Sequence, residues 1–190
     1  MTKGIIIFGA SGSGTTTIGK ALSQKLQYPH YDLDDYFWLW DTEIPYTTPR
    51  PANERMEKLE CDLSKVKSFV TSGSICGWDI PFIPILELAV FLKTPTDLRI
   101  KRLKEREFKE FGNRVLESGD MYTGHIDFIE WAKTYDNAGL DSRSLVLHTE
   151  WAKSLPCKVI ELDGSLPIDD IVNRVITAFE KMPSNINKGL

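Results

Sequence analysis

Short apolar runs alternate along the chain with longer stretches whose apolar residues recur every three or four positions. The runs Gly4-Phe8, Pro29-Asp32, Ser68-Ser72, Leu88-Leu92 and Lys158-Leu162 read as strands. The first, fourth and fifth are largely apolar, as expected of strands covered on both faces. Between them lie helical patterns. Ile168, Ile171, Val175 and Phe179 share one face of a last helix that opens near Ser165, with Pro167 in its first turn. Asp169 and Asp170 then sit near the positive end of its dipole. Another helix is expected to open with Thr94 as its cap, Pro95 at the first helical position and Asp97 three residues after the cap. Residues 51–66 and 142–155 also read as helical. This alternation predicts an α/β fold on a parallel sheet with crossover helices.

Composition narrows the picture. A chain of 190 residues, 42% hydrophobic and 26% charged, suits one domain with a real core. The domain is expected over 1–182, with 183–190 a frayed tail that has little to bury. The longest apolar stretch, Ile80 to Leu92, is broken by Pro81, Pro84 and Glu87 and is too short for a bilayer. No cleavage site follows Ile5 to Phe8, which argues against a secretory leader. Cys61, Cys76 and Cys157 are widely spaced and form no Cys-x-x-Cys, so they read as reduced thiols of a cytoplasmic protein. A net charge of −4 argues against general nucleic-acid binding. No membrane partner is expected, and the chain is read as a monomer or homodimer.

The first chemistry follows the first strand: Gly9-Ala10-Ser11-Gly12-Ser13-Gly14-Thr15-Thr16-Thr17, then a helical pattern through Ile18, Leu22 and Leu26. Glycines let successive amides converge on phosphate oxygens, and the helix behind them aims its positive end at the same anion. The spacing matches the P-loop pattern G-x-x-x-x-G-K-[S/T] at every position but one. Thr16 takes the position of the magnesium-holding hydroxyl. Thr15 stands where the lysine belongs, and one ammonium–phosphate pair at about 4 Å is worth roughly 4 kcal/mol at an effective dielectric of about 20.

Residues 4–37 resemble the P-loop kinases of small molecules: the nucleoside, nucleoside monophosphate, shikimate and gluconate kinase group. The order of elements carries the resemblance to about residue 180. It implies a three-layer P-loop NTPase fold, with a five-stranded parallel sheet, helices on both faces and a small lid. It also implies ATP and Mg2+, and an acceptor site for a nucleoside or nucleoside monophosphate, in the manner of adenylate kinases, or for a shikimate-type metabolite. The missing lysine also keeps open a nucleotide-binding regulator with weak or no transfer.

Asp32-Leu33-Asp34-Asp35 ends the second strand beside the P-loop, where ligands bind in open α/β sheets. An Asp there accepts the proton of an attacking hydroxyl or holds magnesium through water. The segment looks like the Asp-Asp-Phe-Tyr run of uridine-type kinases, and Asp32-x-Asp34 resembles shikimate kinases. Asp34 is favoured as the catalytic group and Asp32 as a substrate contact. An acidic helix start or Asx-turn explains the same residues. The proline-bearing stretch 34–52, with Trp38 and Trp40 near its start, is too long for an ordinary connection and reads as an acceptor-side loop.

Gly73 and Ser74 end the third strand, where a glycine-rich segment touches the acceptor in shikimate kinases. A simple turn is the alternative. By position, Arg50 and Arg55 resemble the acceptor-phosphate arginines of monophosphate kinases, and a solvated pair reads equally well. Residues 99–110 carry six cations against three acids, with Arg99, Arg102 and Arg106 on one helical face. Arg102 and Arg106 are the cations expected to replace the lysine, as lid arginines do in related kinases; internal ion pairs on a solvated helix are the rival. The glycine-bearing segment 108–124, with Arg114, is the candidate lid. Asp163-Gly164-Ser165 occupies the place of the adenine-side loop.

Overall fold

The computed structural model describes residues 2–79 and 81–182. The expected frayed tail, 183–190, lies outside the described residues.

Five strands form one parallel sheet in the order β2-β3-β1-β4-β5. They are β1 (Lys3–Gly9), β2 (His30–Asp32), β3 (Ser68–Ser72), β4 (Leu86–Lys93) and β5 (Lys158–Asp163). The helices are α1 (Thr15–Leu26), α2 (Asp34–Phe37), α3 (Ala52–Ser64), α4 (Thr96–Phe111), α5 (Tyr122–Lys133), α6 (Leu145–Ser154) and α7 (Ile168–Glu180).

Because side chains alternate across a strand, the apolar run of β1 feeds two cores. Ile5 and Ile7 pack with Ile18 and Leu22 of α1 and with Ile171, Val172 and Val175 of α7. Ile6 and Phe8 face the opposite layer, with Leu59 and Leu63 of α3 and Trp151 of α6. Leu22 is fully buried, so Leu22→Ala should cost about 2–5 kcal/mol of stability, measurable by urea denaturation.

The helix starts differ from the sequence reading. Pro95 is the N-cap of α4 and the helix begins at Thr96. Thr94 does not cap it, because its hydroxyl donates to the Ser13 carbonyl 3.2 Å away. Pro167 likewise is the N-cap of α7 rather than a first-turn residue.

The stretch after α2 folds back on itself through a Trp38–Pro49 bridge and a Leu39 amide that donates to Thr48 O. In the segment expected as a lid, α4 continues to Phe111, a 3-10 turn covers Gly112–Val115 and α5 begins at Tyr122. Arg114 pairs there with Asp120 at 2.7 Å. No described helix is long and apolar enough to cross a membrane.

Candidate nucleotide and acceptor site

The loop between β1 and α1 bends through two glycines in the left-handed region, Gly12 at φ 78° and Gly14 at φ 100°. A side chain at Gly12 would also collide, its Cβ lying 2.6 Å from Arg99 O. Gly14 is the N-cap of α1, and no side chain caps that helix. Its first amides are therefore left for an anion. The loop residues Gly12, Ser13, Gly14, Thr15, Thr16 and Thr17 line a cavity of about 940 Å³.

Arg102 enters from α4. Its Nη1 donates to Gly164 O at 3.0 Å and to Ser13 O at 3.3 Å. A Cβ built on Gly14 would lie 3.8 Å from the same nitrogen. The guanidinium thus lies against the loop, next to the position where Thr15 replaces an ammonium. Arg106, one turn further along α4, also lines the cavity and is half exposed, with Glu107 3.7 Å away.

Arg99 does not join them. It is fully buried and donates to Thr94 O, Ala132 O, Thr96 Oγ1 and Asp136 Oδ2. Arg99 lies in the first turn of α4, where Ala132 and Asp136 pack over it, whereas Arg102 and Arg106 lie further along the helix and line the cavity.

Asp32 and Asp34 line the same cavity. Both follow from β2 ending beside the loop, and Asp32 Oδ1 accepts from the Asp34 amide at 3.2 Å. Burial raises the Asp34 pKa above its ordinary value; Asp32 and Asp35 add to the rise, while Arg143 and Arg106 oppose it. Asp34 is therefore poised to hold a proton more readily than a free carboxylate. Trp40 and Tyr46 of the folded-back loop line the same cavity, with ring centroids 4.9 Å apart. Burial pushes the Tyr46 phenol up to about 12.

Other expected contacts fall elsewhere. Gly9, Ser11, Arg50, Gly73 and Ser74 do not line this cavity. Arg50 donates to Tyr36 O and Trp38 O, so it straps the loop to α2 instead of reaching an acceptor. Gly73, at φ 115°, sits against Leu33, and Ser74 bonds His148. Arg55 stacks on Phe37 at 4.2 Å, and its buried Nε has no partner among the described residues.

Arg143 was not legible from sequence. It precedes α6, lies near Asp34, and pairs with no carboxylate among the described residues. It is an isolated arginine in a turn with no motif around it. Only its half-buried position beside Asp34 distinguishes it.

Among the described residues no three His, Cys, Asp or Glu side chains cluster as a metal site. A nucleotide-borne magnesium needs only one or two protein ligands, because phosphate and water supply the others. Thr16 and Asp32, lining one cavity, fit that smaller demand.

The parallel sheet in this order and the glycine loop after its central strand define a P-loop protein with a small-molecule kinase fold. The chain belongs to the AAA domain family, whose pattern matches residues 5–118. It is 42% identical to the uncharacterized protein YqaC of Bacillus subtilis strain 168 over 176 residues, covering 93% of this chain and 97% of that protein. Over 115 residues it is 28% identical to a cytidylate kinase of Methanococcus vannielii, covering 54% of this chain and 65% of that enzyme. A shikimate kinase structure from Bacteroides thetaiotaomicron superposes with a TM-score of 0.58 over 94% of this chain and 98% of that one. At 21% identity, that likeness is one of fold. The kinase resemblance read from residues 4–37 therefore stands.

Proposed function

We propose that the chain transfers the γ-phosphoryl group of ATP to a hydroxyl of a small anionic acceptor. One observation carries this reading: a single cavity is lined both by an amide-rich loop backed by Arg102 and by the half-buried Asp34. Phosphoryl transfer asks a protein for little beyond positioning and charge, and these are the two kinds of group it needs. The loop amides would hold the phosphates. Thr16 and Asp32 would hold Mg2+, which supplies charge neutralisation across the phosphates. Asp34 would take the proton of the attacking hydroxyl, and Arg106 would meet charge on the transferred group.

The raised pKa of Asp34 favours a hydroxyl acceptor, because transfer to a phosphate oxygen needs no proton acceptor. Arg143 beside Asp34 favours an anionic group on that acceptor, since a half-buried guanidinium seeks a carboxylate or phosphate. Nucleosides, nucleoside monophosphates and shikimate-type hydroxy acids are the classes to compare. Thr15 supports a second reading, a nucleotide-binding regulator.

Labelled ATP and Mg2+ incubated with those three classes separates the readings. Label transferred to an acceptor, with the acceptor KM raised by Arg143→Ala, supports the kinase. Tight ATP binding without transfer across the panel supports the regulator.

A further inference from the structure

The folded-back loop after α2 carries an aromatic corner that the phosphate chemistry leaves idle. Trp40 and Tyr46 both line the cavity that Asp34 lines. Their ring centroids lie 4.9 Å apart with the planes at 76°, and Trp38 meets Tyr46 at 6.1 Å and 86°. A lone indole on open surface would need no explanation. Trp40, however, is 45% exposed within a cavity wall otherwise rich in charge. Tyr46 is close enough to Asp34, Asp32, Arg106 and Glu110 to feel all four charges. The corner therefore borders the acceptor carboxylates.

Several contacts hold it in place. Trp38 bridges to Pro49, and the Leu39 amide donates to Thr48 O. The Thr42 and Thr47 hydroxyls both donate to Ile44 O, at 2.9 and 2.7 Å. Tyr46 has a left-handed φ of 61°. A bulky residue adopts that backbone only where its surroundings impose it, and glycine or asparagine would make the same turn without strain. Packing against two indoles fixes the tyrosine ring but leaves the outer part of Trp40 unmatched. No hydrogen bond among the described residues involves the Tyr46 hydroxyl, which is free for a ligand.

We propose that Trp40 is the stacking face, and Tyr46 the edge contact, for a flat heteroaromatic ring of the acceptor, which makes that acceptor a nucleoside or nucleotide rather than an alicyclic hydroxy acid. This rests on the kinase reading and deepens it. A ring laid parallel to Trp40 stands nearly at right angles to Tyr46, an arrangement that aromatic pairs favour. The Tyr46 hydroxyl then donates to a ring nitrogen or carbonyl, and a sugar hydroxyl of the same molecule reaches toward Asp34. An alicyclic acid such as shikimate has no π-face and gains nothing from the indole.

Equilibrium binding tests this without turnover. A non-hydrolysable ATP analogue with Mg2+ first fills the nucleotide place, and nucleosides, nucleoside monophosphates and shikimate are then titrated into the full chain by calorimetry. A ring-bearing ligand should bind about tenfold tighter than shikimate, or more. Trp40→Leu keeps apolar bulk without a flat face and should weaken that binding about tenfold, whereas Trp40→Phe should restore most of it. Neither should change the affinity for the ATP analogue or for shikimate. Equal binding by the Leu and Phe variants would mean that the corner only packs the loop, and overturns the inference. So does a loss confined to the ATP analogue, or a wild type that binds shikimate as tightly as every ring-bearing ligand. Label transfer separates this from the kinase reading. A nucleoside that binds through Trp40 yet takes no label from ATP overturns that reading and supports the corner as a ring-binding site.

Discussion

Arg102→Ala is expected to lower kcat by at least a hundredfold while the protein stays folded. The guanidinium rests on Ser13 O and Gly164 O against the phosphate loop, where Thr15 offers no charge. Removing one preorganised donor from a site that stabilises developing charge typically costs 10²–10³ in rate, or about 3–4 kcal/mol. The structural loss is smaller. Two carbonyl contacts, each worth about 1 kcal/mol net, lie at a half-buried position that water reaches. Arg102→Lys should fall between, because an ammonium keeps the charge but cannot bridge two carbonyls and still present a flat face to phosphate. The contrast is Arg99→Ala. That side chain is fully buried with four hydrogen-bonded partners, so its loss should appear as a lowered melting temperature. Steady-state kinetics alongside thermal melts of the three variants separates charge at the site from packing beneath it.

Asp34→Asn should abolish transfer and stabilise the fold. General-base catalysis contributes about 10²–10⁴ in rate, and an amide cannot accept the proton. The stability effect has the opposite sign. Burial raises the folded-state pKa of Asp34, so the folded protein holds this proton more tightly than the unfolded chain does. Stability is then lost as pH rises from the unfolded pKa through the folded one, and at neutral pH the ionised carboxylate is a net cost. The amide removes that cost, with a gain of ~0.5–2 kcal/mol typical of active-site groups held against their own solvation. The wild-type rate should also fall toward acid, with a midpoint above the ordinary carboxylate range, since only the ionised form accepts a proton. A variant that loses activity and also melts earlier would contradict this account of Asp34.

The fold was largely legible because its signals are local and repeated. The five apolar runs lie within a residue or two of the strands, and alternation within β1 divides Ile5 and Ile7 from Ile6 and Phe8. The phosphate loop was legible for a similar reason: a glycine pattern, a strand before it and a helix after it fix one another. The helix starts at Thr94 and Pro167 were misread by a residue or two, because cap preference competes with tertiary partners. Thr94 spends its hydroxyl on Ser13. Arg99 was grouped with Arg102 because periodicity shows which residues share a helix face but not where that face stops being solvent. Arg143 and the contacts of His148 with Ser74 and Tyr135 carry no sequence pattern. Their members lie in different elements, and only folding brings them together.

Titrating ATP into four proteins tests the central claim most directly: the wild type, Arg102→Ala, Thr15→Lys and the double variant. If Arg102 supplies the cation that the loop lacks, Arg102→Ala weakens ATP binding about tenfold or more. Thr15→Lys then changes the wild type little, yet restores most of the affinity when Arg102 is absent. Equal ATP affinity in the wild type and Arg102→Ala, or a large gain from Thr15→Lys with Arg102 in place, would contradict it.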